Sequence, residues 1–598
     1  MTLRLRPPSA VTSAALAIIL VQLVVRGVMV SRSWFLLDDH IFMADIARGQ
    51  DDLAWYTRLH QGHFMPLSFL LVKLVVTIGE PYAWWPVAVQ IIVLQALASL
   101  ACWWMLRTLF GPGRTAVVAL AVYASTALTM PALMWWAVAI NQYPHQIAFF
   151  GAVAAHVHYA RTGRLRWVGV AAFFLLVGYL SYAKTGLIVV TLALLTLIWL
   201  VQGAPWDRFW TAIRRYWPAW LVYGALSAAW LGVYLTRPQV GLGGRPSQFL
   251  TLVQAQVFES TIPTVLGGPL HWTPFGEGPV QFAAPPLPLV VVCSVVLAVA
   301  LLHAWGTRRR ALLVLWPVGV YLFASAVLVY EGRAFAIGLL GGTNVGIQVQ
   351  YLSDAAPLFL LAGAALFRPV LGVADPPVVR ERPLARVAPP RWVMVGLACT
   401  VVVLGLVSST TYARGYVDFP ERRTTGQAVE TLRSGDDLRL TDTLVPPTIA
   451  TPLFGERSLT KNYFALLSDH FTVSSAGVDL RTLDDAGRLR AADVAAVEGT
   501  LPTPDLARCS RVGPTGRTFD VAPPAALGLW VVVDYRSRES GTVSVGGIGA
   551  TRVGIDAPAG RHRLLVEASA PRQGVTVTAT EGSGLCVTRI QYGRVVAG

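Results

Sequence analysis

The feature that most constrains this chain is a series of apolar runs, each of a length that can cross a bilayer. A transmembrane helix needs about 17 to 25 predominantly apolar residues. A chain of 598 residues with 54% hydrophobic and only 14% charged residues cannot be an ordinary soluble enzyme. The sequence predicts an α-helical polytopic membrane protein with about 11 spans, near residues 11–30, 84–106, 115–136, 145–160, 167–182, 185–201, 217–236, 287–305, 311–330, 351–367 and 392–413.

Arginine clusters between these runs predict the orientation of the chain. They fall in alternate loops, on the side of the N-terminus: Arg107 and Arg114, then Arg161, Arg164 and Arg166, then Arg208, Arg214 and Arg215, then Arg308, Arg309 and Arg310, then Arg368, Arg380, Arg382, Arg386 and Arg391. Because positive residues mark cytoplasmic loops, we expect a cytoplasmic N-terminus, with residues 31–83, 237–286 and the tail after 413 extracytoplasmic. The net charge of +15 is explained by this pattern, so nucleic-acid binding gains no support.

The start of the chain and its amino-acid composition predict the cellular location and the type of organism. Arg4 and Arg6 precede a first run without a cleavage site, which predicts a signal anchor. Lysine occurs only at positions 73, 184 and 461, whereas Arg, Ala, Val and Gly abound, as in GC-rich bacterial genomes. We therefore expect a multi-pass protein of a bacterial plasma membrane, in contact with membrane lipids.

The region after the last run changes character. Residues 1–413 form the predicted transmembrane domain, and residues 414–520 a predicted extracytoplasmic α/β segment with a helix near 426–433. Residues 521–598 contain short alternating runs separated by Gly and Pro, which predict a β-sandwich of jelly-roll type that binds glycan or docks an acceptor. Cys509 and Cys586 form a disulfide in an oxidising compartment, or remain two unpaired thiols; the sequence leaves both readings open.

The first outer loop contains the strongest candidates for catalytic residues. Asp38 and Asp39 follow the first span by about one helical turn, where unpaired charge is costly to bury. Adjacent acids at this place predict chemistry at the membrane surface. Residues 64–79 are apolar but short and are interrupted by Lys73, which predicts an interfacial helix rather than a further crossing. A second acidic pair, Asp51 and Asp52, is expected to lie in a solvated turn.

The order of motifs in this loop resembles a known family. A span, then LLDDH (36–40), then HFMPL (63–67), then an apolar interfacial helix and a span from near Trp84 are similar to the first luminal loop of GT-C glycosyltransferases, in the branch of protein O-mannosyltransferase-like and bacterial polyprenyl-phosphate-sugar-dependent enzymes. The segment QYLSDAAPLFLLAGAAL (350–366) is similar to a late span of that branch, with Gln350 in place of a basic residue. The resemblance implies catalysis by the acidic pair, a sugar donor on a polyprenyl phosphate, and inversion at the anomeric carbon.

Such a transfer needs a base for the acceptor proton and a positive group or metal for the departing phosphate. By analogy, Asp39 is the expected base. Asp38 is its expected partner, which orients the acceptor or, with His40, holds a divalent cation such as Mg²⁺, Mn²⁺ or Ca²⁺. The two acids could exchange roles, because adjacent residues of a helix point about 100° apart.

Further candidates are the cations and polar side chains expected on the outer side. Arg333 is the first choice for the donor phosphate because it lies in a Gly-rich loop, residues 331–346, without other basic residues; a solvated pair with Glu331 is the alternative. The other phosphate candidates are Arg58, Lys184, Arg237 and Arg245. The candidates for acceptor or metal contact are His40, His63, Gln142 and His145, with His60 ranked below them. Each histidine could instead be a plain interfacial hydrogen-bonding residue.

The sequence thus predicts a membrane glycosyltransferase that acts on an extracytoplasmic glycan, lipid or protein acceptor. Two other classes stay open: a non-enzymatic factor for cell-envelope assembly, and a transporter of lipid-linked saccharides. The chain lacks a P-loop, an H-E-x-x-H helix, a C-x-x-C pair and a Rossmann fingerprint, which removes support for ATP-driven transport and nicotinamide chemistry.

Overall fold

The computed structural model describes residues 9–236, 246–276, 278–381, 391–435, 437–497, 509–549 and 553–598. Its helices in the transmembrane part are α1 (Ala10–Val30), α2 (Asp38–Ala47), α3 (Leu53–Thr57), α4 (Pro66–Ile78), α5 (Trp85–Phe110), α6 (Arg114–Ser125), α7 (Met130–Met134), α8 (Trp136–Thr162), α9 (Arg166–Tyr179), α10 (Gly186–Leu195), α11 (Pro205–Leu235), α12 (Pro246–Gln254), α13 (Ile262–Val265), α14 (Leu287–Thr307), α15 (Leu315–Gly332), α16 (Ala334–Leu340), α17 (Gly342–Gly346), α18 (Ala356–Phe367) and α19 (Arg391–Arg414). Two short hairpins accompany them: β1 (Leu59–His60) with β2 (His63–Phe64), and β3 (Trp272–Pro274) with β4 (Gln281–Ala283).

The chain forms two compact units, which we describe separately. One comprises residues 1–39 and 51–419, and the other comprises residues 40–50 and 420–598. Helix α2 therefore begins in the first unit with Asp38 and Asp39 and continues in the second.

The first unit is a helical membrane domain. Among the described residues, seven helices are long and apolar enough to cross a membrane: Ala10–Val30, Trp85–Phe110, Ala183–Leu200, Pro205–Leu235, Leu287–Thr307, Ala311–Gly332 and Trp392–Arg414. The pair Arg114–Ser125 and Ala127–Met134, bent by 48°, makes an eighth if it is one span. The polytopic helical class is as predicted, but the count of eleven is not confirmed.

The three remaining predicted spans are helical but do not meet this test. Residues 145–160 lie in α8, whose 27 residues are long enough but include six Asn, Gln and His side chains. Residues 167–182 correspond to the 14-residue α9, and residues 351–367 to an apolar helical segment at Ser353–Phe367. Both are shorter than the roughly 20 residues of a full crossing.

Close packing places α8 at the centre of this unit. A Cβ at Gly151 of α8 would lie 2.4 Å from the ring of Phe174 in α9, and one at Gly178 would lie 2.7 Å from Thr185. Small residues allow helices to approach closely inside membranes. As a result, α8 is buried along most of its length, and its polar side chains face protein rather than lipid.

The short apolar stretch after the first loop forms α4, a helix of 13 residues. Leu70, Leu74 and Ile78 are exposed along one face, and Phe69 and Val72 are buried on another. This pattern is what an interfacial helix presents to lipid, and a helix of this length spans only about 20 Å.

The second unit is built on two β-sheets. Its helices include α20 (Pro420–Ser434) and α21 (Thr460–Tyr463), the second of which follows the first strand. Its strands are β5 (Leu438–Thr441), β6 (Phe471–Ser474), β7 (Ala476–Val478), β8 (Arg481–Leu483), β9 (Leu489–Ala495), β10 (Ser510–Arg511), β11 (Arg517–Phe519), β12 (Trp530–Ser537), β13 (Gly541–Gly546), β14 (Val553–Ala557), β15 (Gly560–Glu567), β16 (Val575–Ala579) and β17 (Cys586–Ala597). The larger sheet has the order β6-β5-β8-β9-β17-β12-β15-β7, with β10 also paired to β17, and the smaller one β11-β16-β13-β14.

Alternation along β12 shows how the larger sheet is buried on both faces. Val531 and Val533 belong to the core shared with β13 and β16 of the smaller sheet, whereas Trp530 and Val532 pack with Leu480 and with residues of β9 on the other side. The larger sheet contains strands from both sides of residue 520, so the α/β segment and the sandwich share one sheet.

Cys509 and Cys586 form a disulfide, with Cα atoms 5.4 Å apart. Among the described residues the other three cysteines are unpaired: Cys102 and Cys293 are buried, and Cys399 is exposed. Of the two readings that the sequence left open for this pair, the structure has the disulfide.

We expect alkylation of the denatured, unreduced protein to label three of its five cysteines, because two are held in the disulfide. Reduction should raise the number to five, and peptide mapping should find the segments around Cys509 and Cys586 linked. In the control variant Cys509→Ser, four thiols should react without reductant. Labelling of all five in the unreduced wild type would contradict the disulfide.

Candidate active site

The two adjacent acids of the first loop have different surroundings. Asp39 has no exposed surface; its Oδ2 accepts a hydrogen bond from the Leu36 N–H (2.9 Å) and its Oδ1 one from the Ala137 N–H (2.8 Å). Burial raises the pKa of Asp39 well above its usual range, against the opposing effect of these two bonds, and the charge of Asp38 adds to the rise. Asp39 thus joins the first loop to the beginning of α8.

Asp38 is the accessible member of the pair. Its side chain is 20% exposed, and its Oδ1 lies 3.4 Å from Nε2 of His60. The preceding Leu37 has a left-handed φ of 46°, uncommon for a leucine, at the turn that starts α2. Of the two acids, Asp38 is the one with exposed surface, whereas the buried Asp39 holds the loop.

The hairpin of β1 and β2 connects this carboxylate to Arg333, a cation that lies 272 residues after the hairpin residue Gln61 in the sequence. His60 pairs with His63 across the hairpin, and Gln61 and Gly62 form its turn with positive φ. The Arg333 Nη1 donates to the Gln61 carbonyl oxygen (2.8 Å), and its Nη2 lies 3.5 Å from Nε2 of His63. One four-residue turn therefore contacts both Asp38 and Arg333.

Arg333 is also held in place by Tyr351. Its Nε donates to the Tyr351 hydroxyl (3.2 Å), and its guanidinium lies over the Tyr351 ring. Although burial lowers the pKa of Arg333, interactions with Tyr351 and the Asp38 carboxylate raise it above its ordinary value. The side chain is a permanent cation within electrostatic range of Asp38, with five N–H groups to distribute between protein and ligand.

The prediction that residues 331–346 form a loop is wrong, because most of them are helical. Residues 334–346 form the short helices α16 and α17, separated at Gly341, which has a φ of 85°. A Cβ at Gly342 would lie 2.0 Å from the Gln248 carbonyl oxygen. These glycines permit close helix packing against α12 rather than a mobile loop.

Lys184, predicted to contact the donor phosphate, is committed elsewhere. It is buried, and its ammonium donates to the Ser325 hydroxyl (2.7 Å), the Tyr351 carbonyl oxygen (2.9 Å) and the Asp354 Oδ1 (3.0 Å). An ammonium group has three N–H donors, so its capacity is filled. Lys184 therefore supports the segment that carries Tyr351.

His145 belongs to the same buried network. Its Nδ1 lies 3.2 Å from the Thr185 hydroxyl and its Nε2 3.1 Å from the Tyr321 hydroxyl, and Tyr321 donates to Asp354 Oδ2 (2.7 Å). The residue has no exposed surface. Its place in the network favours structural support over acceptor contact.

His63 and Gln142 both lie against Tyr182. The rings of His63 and Tyr182 are stacked, with centroids 5.0 Å apart, and the Gln142 Nε2 donates to the Tyr182 hydroxyl (3.1 Å) and the Gln350 carbonyl oxygen (3.3 Å). Burial, then the charges of Arg333, Lys184 and His60, hold the pKa of His63 well below its usual range. His63 is therefore a neutral imidazole beside the Arg333 cation.

The remaining predicted cations are Arg58, Arg237 and Arg245. The Arg58 guanidinium lies over the rings of Trp55 (5.2 Å) and Phe69 (5.4 Å). Arg237 and Arg245 lie outside the described residues. Arg333 comes from a distant segment of the sequence, and the fold brings it to the first loop.

The other acidic pair and His40 have local roles. Asp51 forms an ion pair with Lys73 (2.7 Å), and Asp52 caps α3 by accepting from the Trp55 N–H (2.8 Å), so neither is a plain solvated side chain. In the second unit, the ring of His40 stacks on Tyr463 with centroids 4.8 Å apart. In the part of the chain that the structure describes, no three His, Cys, Asp or Glu residues come together as a metal site.

Sequence reasoning missed the residues that hold the predicted ones: Gln61, Tyr182, Tyr351 and Asp354. The segment QYLSD could have indicated two of them. Its residues Tyr351 and Asp354 contact Arg333 and Lys184, whereas the Gln350 side chain donates to the Gln348 side chain (3.0 Å).

The chain matches no protein-family model and no curated protein sequence. Among solved structures, it is similar to ArnT from Cupriavidus metallidurans, crystallised with undecaprenyl phosphate, with 13% identity and a TM-score of 0.40 over 77% of this chain and 88% of that one. It is also similar to the arabinosyltransferase EmbB from Mycobacterium smegmatis, with 13% identity and a TM-score of 0.25 over 100% of this chain and 66% of that one. Since both TM-scores are below 0.5, the proposals below rest on this chain's own residues.

We expect Lys184→Met to lower the free energy of unfolding by about 3 to 5 kcal/mol, because it leaves the buried Asp354 carboxylate without its cation. Unfolding of the detergent-solubilised protein would measure this. The double variant Lys184→Met/Asp354→Leu should recover much of the loss, since neither charge remains. As a control, Lys73→Met, which removes an exposed ion pair, should cost at most about 1 kcal/mol. Equal effects of Lys184→Met and Lys73→Met would contradict the buried network.

Proposed function

We propose that this chain is a membrane glycosyltransferase that moves a sugar from a polyprenyl-phosphate donor to a hydroxyl of an extracytoplasmic glycan, lipid or protein acceptor. The observation that supports it is the pairing, through one hairpin, of an accessible carboxylate just after the first span with a fixed guanidinium: Asp38 contacts His60, and Arg333 contacts Gln61 and His63. A base and an anion-stabilising cation are the two groups that this transfer requires.

In the proposed reaction, the Asp38 carboxylate takes the proton of the acceptor hydroxyl as its oxygen attacks the anomeric carbon. The bond between that carbon and the phosphate oxygen breaks, and its electron pair leaves with the polyprenyl phosphate. Arg333 neutralises the charge that develops on this phosphate. Attack from the face opposite the leaving group inverts the anomeric centre, as the resemblance of the first loop implies.

The position of the site beside the first span supports a lipid-linked sugar donor. Asp38 comes eight residues after the end of α1, and α4, which follows the hairpin, exposes an apolar face suited to the membrane interface. A phosphate on a polyprenyl chain lies at headgroup depth, where both elements can meet it.

The charge of the departing phosphate has a protein partner in this proposal. Arg333 supplies a permanent positive charge beside the hairpin. A divalent cation held by the Asp38 carboxylate together with the donor phosphate would add to this positive charge.

The roles of the two acids can be separated by matched variants. Asp38→Asn should lower kcat by about 10² to 10⁴-fold with normal expression and thermal stability, because it removes the base. Asp39→Asn should instead lower stability by about 1 to 3 kcal/mol, because an amide has only one oxygen for the two backbone N–H groups. Transfer from a panel of radiolabelled polyprenyl-phosphate sugars to an envelope fraction, beside thermal unfolding in detergent, gives both quantities.

Normal transfer by Asp38→Asn would rule out Asp38 as the base. A wild-type protein that transfers no sugar from any donor of the panel, although folded in detergent, would instead favour the assembly-factor or transporter alternative.

The Arg333 cation has its own test. Arg333→Met should lower kcat/KM for the donor by about 10² to 10³-fold, since it removes the group that neutralises the leaving phosphate. Arg333→Lys should recover only part of the activity, because a point charge cannot bind both the phosphate and Tyr351 as the guanidinium fork does. Inhibition by free polyprenyl phosphate should weaken in parallel in Arg333→Met, and an unchanged inhibition constant would contradict the assignment.

A further inference from the structure

Two buried polar atoms beside Tyr182 have no hydrogen-bond partner among the described residues. They are Nδ1 of His63 and Oε1 of Gln142, and Gln142 is only 3% exposed. More than nine in ten buried polar groups in native proteins are paired, and leaving one unpaired is costly. Two such atoms against one aromatic side chain indicate a place where a polar ligand binds.

The other contacts of Gln142 determine what its free atom can do. Its amide group faces the Gln350 carbonyl oxygen at 3.3 Å and the Tyr182 hydroxyl at 3.1 Å. A backbone carbonyl only accepts hydrogen bonds, so the amide nitrogen must face it. The atom left over is the Gln142 carbonyl oxygen, which is an acceptor.

The other contacts of His63 determine its tautomer in the same way. Its Nε2 faces Nη2 of Arg333 at 3.5 Å, and a guanidinium only donates. The lone pair of the imidazole therefore lies on Nε2, and Nδ1 carries the hydrogen. An N–H group cannot coordinate a metal ion, so the free atom of His63 is a hydrogen-bond donor.

We propose that the His63 Nδ1–H and the Gln142 Oε1 bind one hydroxyl group of the donor's sugar ring. A hydroxyl both donates and accepts, which matches one free donor and one free acceptor. The position fits as well, because His63 contacts the Arg333 that binds the phosphate in the proposed function, on which this inference rests. A sugar attached to that phosphate would extend along Tyr182, with that hydroxyl toward these two atoms.

The first test uses the wild-type protein and the sugar donor that it accepts in the transfer assay. A series of monodeoxy versions of that donor, each without one hydroxyl, should include at least one with a kcat/KM lower by about 10 to 100-fold, because a missing hydroxyl leaves both protein atoms unpaired. If every monodeoxy donor is transferred as well as the parent, the proposal is overturned, whatever the variants below do.

The second test assigns that hydroxyl to these residues. His63→Phe keeps the stacking ring without the N–H, and Gln142→Met keeps the volume without the carbonyl. Each should lower kcat/KM for the parent donor by about 10-fold or more, and neither should lower it further for the sensitive monodeoxy donor, because that donor already lacks the contact. His63→Asn is the matched control, because an amide nitrogen on this shorter side chain can take roughly the place of Nδ1 and should retain more activity than His63→Phe.

Free polyprenyl phosphate, which carries no sugar, separates this subsite from the phosphate site. Its inhibition constant should be unchanged in Gln142→Met, whereas Arg333→Met should weaken it. Equal losses for the parent and deoxy donors in both His63→Phe and Gln142→Met would overturn the sugar contact while leaving the transferase intact. A folded wild type that transfers no sugar at all would overturn the proposed function, and this inference with it.

Discussion

The buried Asp39 carboxylate is the interaction on which the proposed site depends. By accepting from the backbone N–H groups of Leu36 and Ala137, it ties the chain that leaves the first span to the chain that enters α8. Both bonds are short and shielded from water, where hydrogen bonds to a carboxylate are strong. With Asp39 held inward, the neighbouring Asp38 is directed outward and meets His60.

A second polar network positions the cation. Lys184, Asp354, Tyr321 and His145 are all buried between helices of the first unit. Buried charges are retained only when they are paired and hydrogen-bonded, and then their geometry is rigid. Because Lys184 also binds the Tyr351 carbonyl oxygen and Tyr351 binds Arg333, the network transmits that rigidity to the guanidinium. The polar residues that lower the hydropathy of α8 serve the same purpose, since Gln142 and His145 face protein.

The comparison of expected and observed spans shows the limit of a hydropathy pattern. Runs near residues 167–182 and 351–367 are apolar, but the helices there are short. The first helix ends at Tyr179, before its run ends, and the second begins only at Ala356, after two short 3-10 turns. The stretch 331–346 was expected to be a loop because of its glycines, yet these residues form short helices packed closely on α12. An apolar or glycine-rich composition is compatible with more than one local structure, and packing selects among them.

The sequence by itself determined that the chain is a helical membrane protein, that an acidic pair follows its first span, and that Arg333 and His63 are candidate site residues. These features are local: hydropathy, charge and spacing can be seen in one stretch at a time. Only the tertiary structure decided that Asp38 and not Asp39 is accessible, that Lys184 belongs to Asp354, and that residues 60–63 contact Arg333. Those outcomes depend on the direction of each side chain and on contacts between segments separated by up to 272 residues, which no local pattern contains.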